Sequence, residues 1–134
     1  MNQVGKNSYG IEQKTPLMNA ASYEHFQIVQ DLIEQGEADP KIADSDGWNA
    51  LHYAAGYNKR NTELIELLLT HMTLDSINKK NRMRGDTPLD SAYRWNDNPI
   101  QQEIIALLRS KGGKANCYDE NGRRVGSGNG DLND

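Results

Sequence analysis

The sequence predicts an all-α solenoid, in which short units of two helices stack side by side. A helix-start segment occurs three times, as TPLMNAA at 15–21, NALHYAA at 49–55 and TPLDSAY at 87–93. Each copy precedes an amphipathic stretch, HFQIVQDLIEQG at 25–36, TELIELLLTH at 62–71 and QEIIALLRSKG at 102–112. The copies begin 34 and 38 residues apart, a spacing that is typical of helical repeats.

The short first helix of each unit has its own start signal. Thr15 and Thr87 can act as N-caps, because their hydroxyls accept free backbone N–H groups. Pro16 and Pro88 occupy the first helical position, where a missing N–H costs nothing. Asn49 offers a weaker version of the same start. The paired small residues that follow would let a neighbouring helix come close; they are Ala20 and Ala21, and Ala54 and Ala55.

The longer second helix carries an apolar stripe. In the first unit Phe26, Val29 and Ile33 fall at helical spacing. Gly36 and Gly112 stand where the first and third of these helices should end, because glycine tolerates the left-handed conformation of a C-cap. One such unit cannot bury its stripe alone, so the copies are expected to stack on one another.

These segments resemble the ankyrin repeat, whose signature is T-P-L-H-x-A at a period of about 33 residues. The match extends to the turn before the motif, GEADPKIADSDGWNALHYAA at 36–55. GGKANCYDENG at 112–122 resembles the same turn opening a fourth unit. The resemblance covers about residues 10–123. It implies a stack with β-turn fingers and a repeat domain at 10–124, with units at 10–43, 44–81 and 82–116 and a partial fourth turn at 117–124. The polar composition of residues 1–9 predicts a flexible N-terminus, and the Gly-rich, polar segment 125–134 predicts a disordered tail.

Where the sequence departs from the motif, it predicts local differences in structure between the units. His52 is the motif histidine of the second unit, and the resemblance implies that it ties neighbouring turns together by hydrogen bonds. Met18 and Asp90 replace this histidine in the other two units. Extra residues predict longer loops at 57–59, 72–78 and 96–99, the last as an exposed turn.

Composition excludes several classes of protein. The net charge is −4, which does not favour a general nucleic-acid binder. The single cysteine, Cys117, cannot form an internal disulfide. The longest apolar run, LIELLL at 64–69, is too short to cross a bilayer, and the first fourteen residues hold no apolar run of the secretory kind. The expectation is a protein of the cytoplasm or nucleus with no membrane contact.

No pattern of catalytic or metal-binding residues is visible. The three histidines, His25, His52 and His71, have no cysteine or histidine at ligand spacing. Cys117 falls at a turn position that the repeat already explains. We expect no enzymatic activity, no cofactor and no metal.

The resemblance also implies which residues face a partner. These are the variable residues in the turn before each motif and the two residues after its alanine pair. The candidate partner-binding residues are Tyr23, Ser45, Asp46, Trp48, Tyr57, Arg82, Arg84, Asp86, Arg94 and Trp95. The set includes both tryptophans of the chain, and Trp, Tyr and Arg are enriched at binding hot spots. The alternative for Trp48 and Trp95 is that they pack flat against neighbouring units.

The hypothesis from sequence is a non-catalytic module, monomeric or weakly oligomeric, that binds another protein through its concave face. A dedicated inhibitor, immunity or chaperone-type binder of one partner would use the same surface. A nucleic-acid or anionic-surface binder would instead use the basic segment KKNRMR at 79–84. That segment is otherwise a solvated loop, or a finger tip that favours an acidic partner.

Overall fold

A computed structural model of the chain describes residues 15–60, 62–82 and 84–125. Within these ranges the backbone forms no strand and seven α-helices: Pro16–Ser22 (α1), Phe26–Glu34 (α2), Ala50–Tyr57 (α3), Glu63–Thr70 (α4), Leu74–Ile77 (α5), Pro88–Trp95 (α6) and Gln101–Ser110 (α7). The predicted all-α stack of helix pairs is confirmed. The flexible N-terminus expected at 1–9 and tail residues 126–134 lie outside the described residues. None of the described helices is long and apolar enough to cross a membrane.

The helices form two layers. The first helices of the three units, α1, α3 and α6, pack side by side as an inner layer, and α3 contacts both of its neighbours. The second helices, α2, α4 and α7, each pack on the inner helix of their own unit. The core lies between the layers, where Leu51, Ile65 and Leu68 are all fully buried. Each such side chain contributes about 1.5–3 kcal/mol by leaving water.

Each inner helix begins with a reciprocal cap. The predicted N-caps Thr15, Asn49 and Thr87 accept the backbone N–H three residues on, at 3.1 to 3.3 Å. The side chain of that third residue accepts the N-cap's own N–H in return, at 2.9 to 3.5 Å. The third residue occupies the motif position, which holds Met18, His52 and Asp90. All three side chains therefore serve the local cap, whatever their chemistry.

The motif position also ties one unit to the next. His52 Nε2 donates to the carbonyl oxygen of Asp86 at 2.9 Å, which confirms the role predicted for this histidine. In the third unit the direction of the bond is reversed, because the Asp90 carboxylate can only accept. It receives the N–H groups of Asn116 at 2.8 Å and of Cys117 at 2.9 Å. Asp90 thus replaces the missing histidine in the tie to the fourth turn.

The ends of the second helices follow the prediction in two units of three. Gly36 and Gly112, with φ of 74° and 90°, terminate α2 and α7. Helix α4 lacks such a glycine and is followed by α5, whose N-cap Thr73 accepts the Ser76 N–H at 3.3 Å. The segment 72–78 therefore contains a capped helical turn, rather than only the long loop that its extra residues predicted.

The expectation of an exposed turn at 96–99 is wrong for its first residue. Asn96 is 1% exposed, and its Nδ2 donates to the carbonyl oxygens of Ala55 at 3.0 Å and Asn58 at 2.9 Å. The rest of the turn is open, since Asp97 and Pro99 are exposed. A buried amide that satisfies two backbone carbonyls locks the third unit onto the second.

Candidate functional site

An aromatic side chain stands at the same repeat position in all three units. Tyr23, Tyr57 and Trp95 each lie eight residues after the N-cap of their unit, at the end of the inner helix. Their exposed fractions are 68%, 40% and 39%. Because α3 packs between α1 and α6, these three residues occupy equivalent positions on neighbouring helices, and we call them the aromatic row.

The second unit adds two further rings to this surface. The centroid of the Trp48 ring lies 5.0 Å from that of Tyr53, which lies 6.4 Å from that of Tyr57. Trp48 also lies 5.6 Å from the ring of His52 and is half-buried. Trp48 thus packs mainly on its own unit, rather than flat against a neighbouring one. Tyr53 was not among the candidate partner-binding residues, although its spacing of four from Tyr57 places both on one helix face.

Tyr53 is fixed by a carboxylate of the second finger, the turn at 43–49. Its hydroxyl donates to Asp44 Oδ2 at 2.6 Å. Burial, followed by this bond, raises the pKa of Tyr53 well above its usual value. The other carboxylate oxygen of Asp44 accepts the N–H groups of Asp46 and Trp48, both at 2.9 Å. One carboxylate therefore shapes the finger and anchors the ring beneath it.

The third unit brings two candidate residues together. The guanidinium carbon of Arg84 lies 5.8 Å from the centroid of the Trp95 ring, within cation–π distance. On its other side Trp95 approaches Gly56, where an added Cβ would lie 3.3 Å from the Cβ of Trp95. The absence of a side chain at Gly56 lets α6 come close at this point.

Two candidate residues take a different position from the one expected. Asp86 is fully buried, and both its carboxylate oxygens accept from Arg94, at 2.8 Å from Nε and 2.9 Å from Nη2. The Arg94 side chain is only 11% exposed, and its guanidinium carbon lies 5.3 Å from the centroid of the Tyr118 ring. Asp86 therefore faces the interior instead of a partner, because its charge is held by an arginine of its own unit.

The finger tips lie side by side. The third finger is the turn that the Asn81 N–H closes by donating to the carbonyl oxygen of Asp86 at 2.8 Å. The backbone N–H of Arg82 in this finger donates to the carbonyl oxygen of Asp46 in the second finger, also at 2.8 Å. The side chains of Asp46 and Arg82 are exposed, and that of Ser45 is partly exposed. These three candidate residues are thus close in space and open to solvent.

Tyr23 and Tyr57 share an open cleft of about 490 Å³ with Ser22, Lys59 and Arg60. Glu24 also lines it, and Glu24 Oε2 accepts the backbone N–H groups of Lys59 at 2.8 Å and Arg60 at 3.0 Å. Neither cation was among the candidate partner-binding residues. A signal was present for Lys59, which belongs to the extra residues at 57–59, but not for Arg60.

One group of potential metal ligands occurs among the described residues. Oxygen and sulfur atoms of Asp86, Asp90 and Cys117 lie within 4.8 Å of one another, and all three residues are buried. Asp86 is paired with Arg94, Asp90 accepts backbone N–H groups, and the Cys117 thiol donates to the carbonyl oxygen of Arg84 at 3.2 Å. Burial raises the pKa of Cys117 to about 12, so the thiol stays protonated at neutral pH. These contacts make the group a structural network.

A family model and several known proteins match this chain. A family model for ankyrin repeats, in three copies, matches residues 2–75 and again 17–121. The chain is 30% identical over 125 residues to Rabankyrin-5 of Mus musculus, covering 90% of this chain and 10% of that protein. It is 31% identical over 123 residues to Zinc finger CCCH domain-containing protein 47 of Arabidopsis thaliana, covering 88% of this chain and 20% of that protein. The chain thus spans between a tenth and a fifth of the length of these relatives.

Proposed function

The chain belongs to the ankyrin repeat family, and from that premise we propose that it binds another protein, without catalysis, through its inner-helix and finger face. Repeats of this family are generally protein-interaction modules, and stacked repeats present an extended concave surface. The observation that carries the proposal is the aromatic row, one partly exposed ring at the same position of every unit.

Packing within the chain does not account for the exposed part of these rings. A Tyr or Trp side chain buries about 150–250 Å² when it is fully covered. At about 25 cal/mol per Å², covering the open part would stabilise a complex by about 2 kcal/mol for Tyr57 or Trp95 and by about 3 kcal/mol for Tyr23, which is 68% exposed. Three such rings at equivalent positions on neighbouring helices are typical of a hot-spot cluster rather than of scattered surface apolar residues.

The face is also held rigid before any partner arrives. Asn96 ties the third unit to the second through two backbone carbonyls, and the Asp46–Arg82 backbone bond joins adjacent fingers. A surface that is already ordered loses little conformational entropy on binding, which favours affinity. We propose Tyr23, Tyr57 and Trp95 as the anchors, with Trp48 and Arg84 at their edge. Asp86 and Arg94 shape the third finger from within.

The test compares the wild-type chain with Tyr57→Ser/Trp95→Ser in a pull-down from lysate of the native source, read by mass spectrometry. The matched control is Ile28→Ser/Leu74→Ser, which removes two exposed apolar side chains, 49% and 59% open, that lie outside the aromatic row. All three proteins are first shown to have the same far-ultraviolet circular dichroism and a cooperative thermal transition.

We expect one set of proteins on the wild type and the control, and its loss on the aromatic variant. For a purified partner, calorimetry should then give an affinity lower by at least about 30-fold, the effect of losing one hot spot. Equal retention on all three proteins would exclude the aromatic row as the binding surface.

A dedicated inhibitor or chaperone-type binder would use the same geometry, and stoichiometry separates the two forms of the proposal. An inhibitor would bind a single partner one-to-one and suppress an activity that the partner shows when alone. A general interaction module would retain its partner without changing that activity.

A further inference from the structure

The cleft between the first and second units combines two rings with two cations. Tyr23 and Tyr57 are exposed, as are the side chains of Lys59 and Arg60. Within the described part of the chain neither cation makes an ion pair with a carboxylate. The cleft therefore places two aromatic rings beside cationic groups that can meet an anion, in a chain whose net charge is −4.

Glu24 sets the position of these cations. It is the one described non-glycine residue with a positive φ, 59°, a conformation that is unfavourable for residues with a side chain. Its carboxylate holds this geometry by accepting the backbone N–H groups of Lys59 and Arg60, at 2.8 and 3.0 Å. Strain of this kind persists where the surroundings over-determine it, and it clusters at binding sites. Two cationic side chains stand here against one carboxylate that is already engaged.

A ring and a cation also meet one unit further along, where the cation comes from the finger instead of from the residues after the inner helix. In the third unit the guanidinium carbon of Arg84 lies 5.8 Å from the centroid of the Trp95 ring. In the second unit Lys59 and Arg60 follow Tyr57 after one residue, the buried Asn58. A partner that lies along the aromatic row would therefore meet a ring and a cation at each of two successive units.

The distance between units restricts the conformation of such a partner. Packed helices lie about 8–10 Å apart, and α3 and α6 are in direct contact. An extended left-handed chain rises about 3.1 Å per residue with three residues per turn, so every third residue returns to the same face after about 9 Å.

We infer that the partner contacts this chain through an extended acidic segment, with Asp or Glu at every third position and apolar or aromatic side chains between them. Its carboxylates meet Lys59 and Arg60 in the cleft and Arg84 at Trp95, while its apolar side chains cover the rings. The inference rests on the proposed function, because it names the chemistry of the partner for that same surface.

The experiment selects peptides from a random 12-residue library displayed on phage, with the wild-type chain immobilised. The enriched peptides are then fluorescein-labelled and titrated by anisotropy against the wild type and three variants. The first is Lys59→Gln/Arg60→Gln, which removes two charges and keeps both backbone bonds to Glu24. The control is Lys41→Gln/Lys111→Gln, which removes two exposed charges outside the cleft. The third is Tyr57→Ser/Trp95→Ser.

We expect enriched peptides with a net negative charge and acidic residues three positions apart. Their affinity should fall roughly tenfold on Lys59→Gln/Arg60→Gln and less than twofold on the control. On the wild type it should also fall as salt is raised. An affinity that depends on Tyr57 and Trp95 but not on the two cations, or enrichment of neutral or basic peptides, would overturn the inference and leave the proposed function standing.

Three other results would also overturn it. Peptides that bind all variants equally would remove both the inference and the proposed function. A failure to enrich any peptide would show that the surface does not take an extended segment. A labelled single-stranded 12-nucleotide DNA that binds more tightly than the best peptide, and loses affinity on Lys59→Gln/Arg60→Gln, would assign the cations to nucleic acid instead.

Discussion

Breaking the ion pair between Asp86 and Arg94 from one side, at the base of the third finger, should cost several kcal/mol of stability. The Asp86 side chain is 0% exposed and that of Arg94 11%. Arg94→Met keeps most of the aliphatic volume but removes both bonds to the carboxylate, at 2.8 and 2.9 Å. Because the remaining charge stays desolvated, breaking a buried pair from one side costs about 3–5 kcal/mol. We expect the free energy of unfolding to fall by about 4 kcal/mol.

Urea unfolding followed by circular dichroism measures this loss, and a double-mutant cycle isolates the pair. Asp86→Asn/Arg94→Met removes both charges, so it should be more stable than Arg94→Met by about 2 kcal/mol. Tyr118→Leu serves as a control for the cation–π contact of Arg94, which is worth about 1 kcal/mol. A loss below about 1 kcal/mol for Arg94→Met, or single effects that simply add in the double variant, would refute the reasoning.

This magnitude bears on how binding experiments are read. Domains of this size are stable by about 5–15 kcal/mol, so Arg94→Met would remove a large part of the total. A binding defect in an Arg94 or Asp86 variant would then report partial unfolding of the third finger. Tyr57 and Trp95 are better positions for testing contact, since both rings are about 40% exposed.

Two further predictions concern the fingers and the tie between units. Burial lowers the pKa of His52 from 6.5 to about 4, so on acidification the unfolded chain takes up this proton first. Relative to His52→Gln, the free energy of unfolding should therefore fall by about 2.5 kcal/mol between about pH 7.5 and pH 4.5; parallel pH curves for the two proteins would contradict this. Gly47→Ala should cost about 1–3 kcal/mol more than Gly36→Ala in urea unfolding, because the added methyl group overpacks the contact between fingers. Both glycines have a positive φ, but a Cβ at Gly47 would lie 3.0 Å from the Asn81 Cα, whereas nothing lies within 4 Å at Gly36. Equal losses of unfolding free energy in the two variants would show that the close contact between Gly47 and Asn81 does not affect stability.

The parts of the fold that depend on near neighbours could be predicted. Thr15, Asn49 and Thr87 cap their helices because the groups they bond lie three residues away. The helix ends at Gly36 and Gly112 depend only on local backbone preference. The repeat itself gave the register, which placed one aromatic residue at the same position of every unit.

The parts of the fold that depend on contacts between units could not be predicted from the sequence. The sequence predicted Asn96 as an exposed turn residue. Its side chain is instead buried, and its amide donates to the backbone carbonyl oxygens of Ala55 and Asn58. Glu24 and the cations Lys59 and Arg60 are 35 and 36 residues apart, and no local pattern relates them. Asp90 stands where the motif has a histidine, and the sequence did not indicate that its carboxylate accepts the backbone N–H groups of Asn116 and Cys117.

The sequence by itself determined the repeat, the two helices of each unit and the position of the aromatic row, because capping and amphipathic spacing act over a few residues. Only the tertiary structure decided that Asp86 is buried against Arg94, that Arg84 lies on Trp95 and that two cations border the tyrosines. Burial and charge pairing depend on distances across stacked units. Those distances are set by packing, and no spacing along the chain records them.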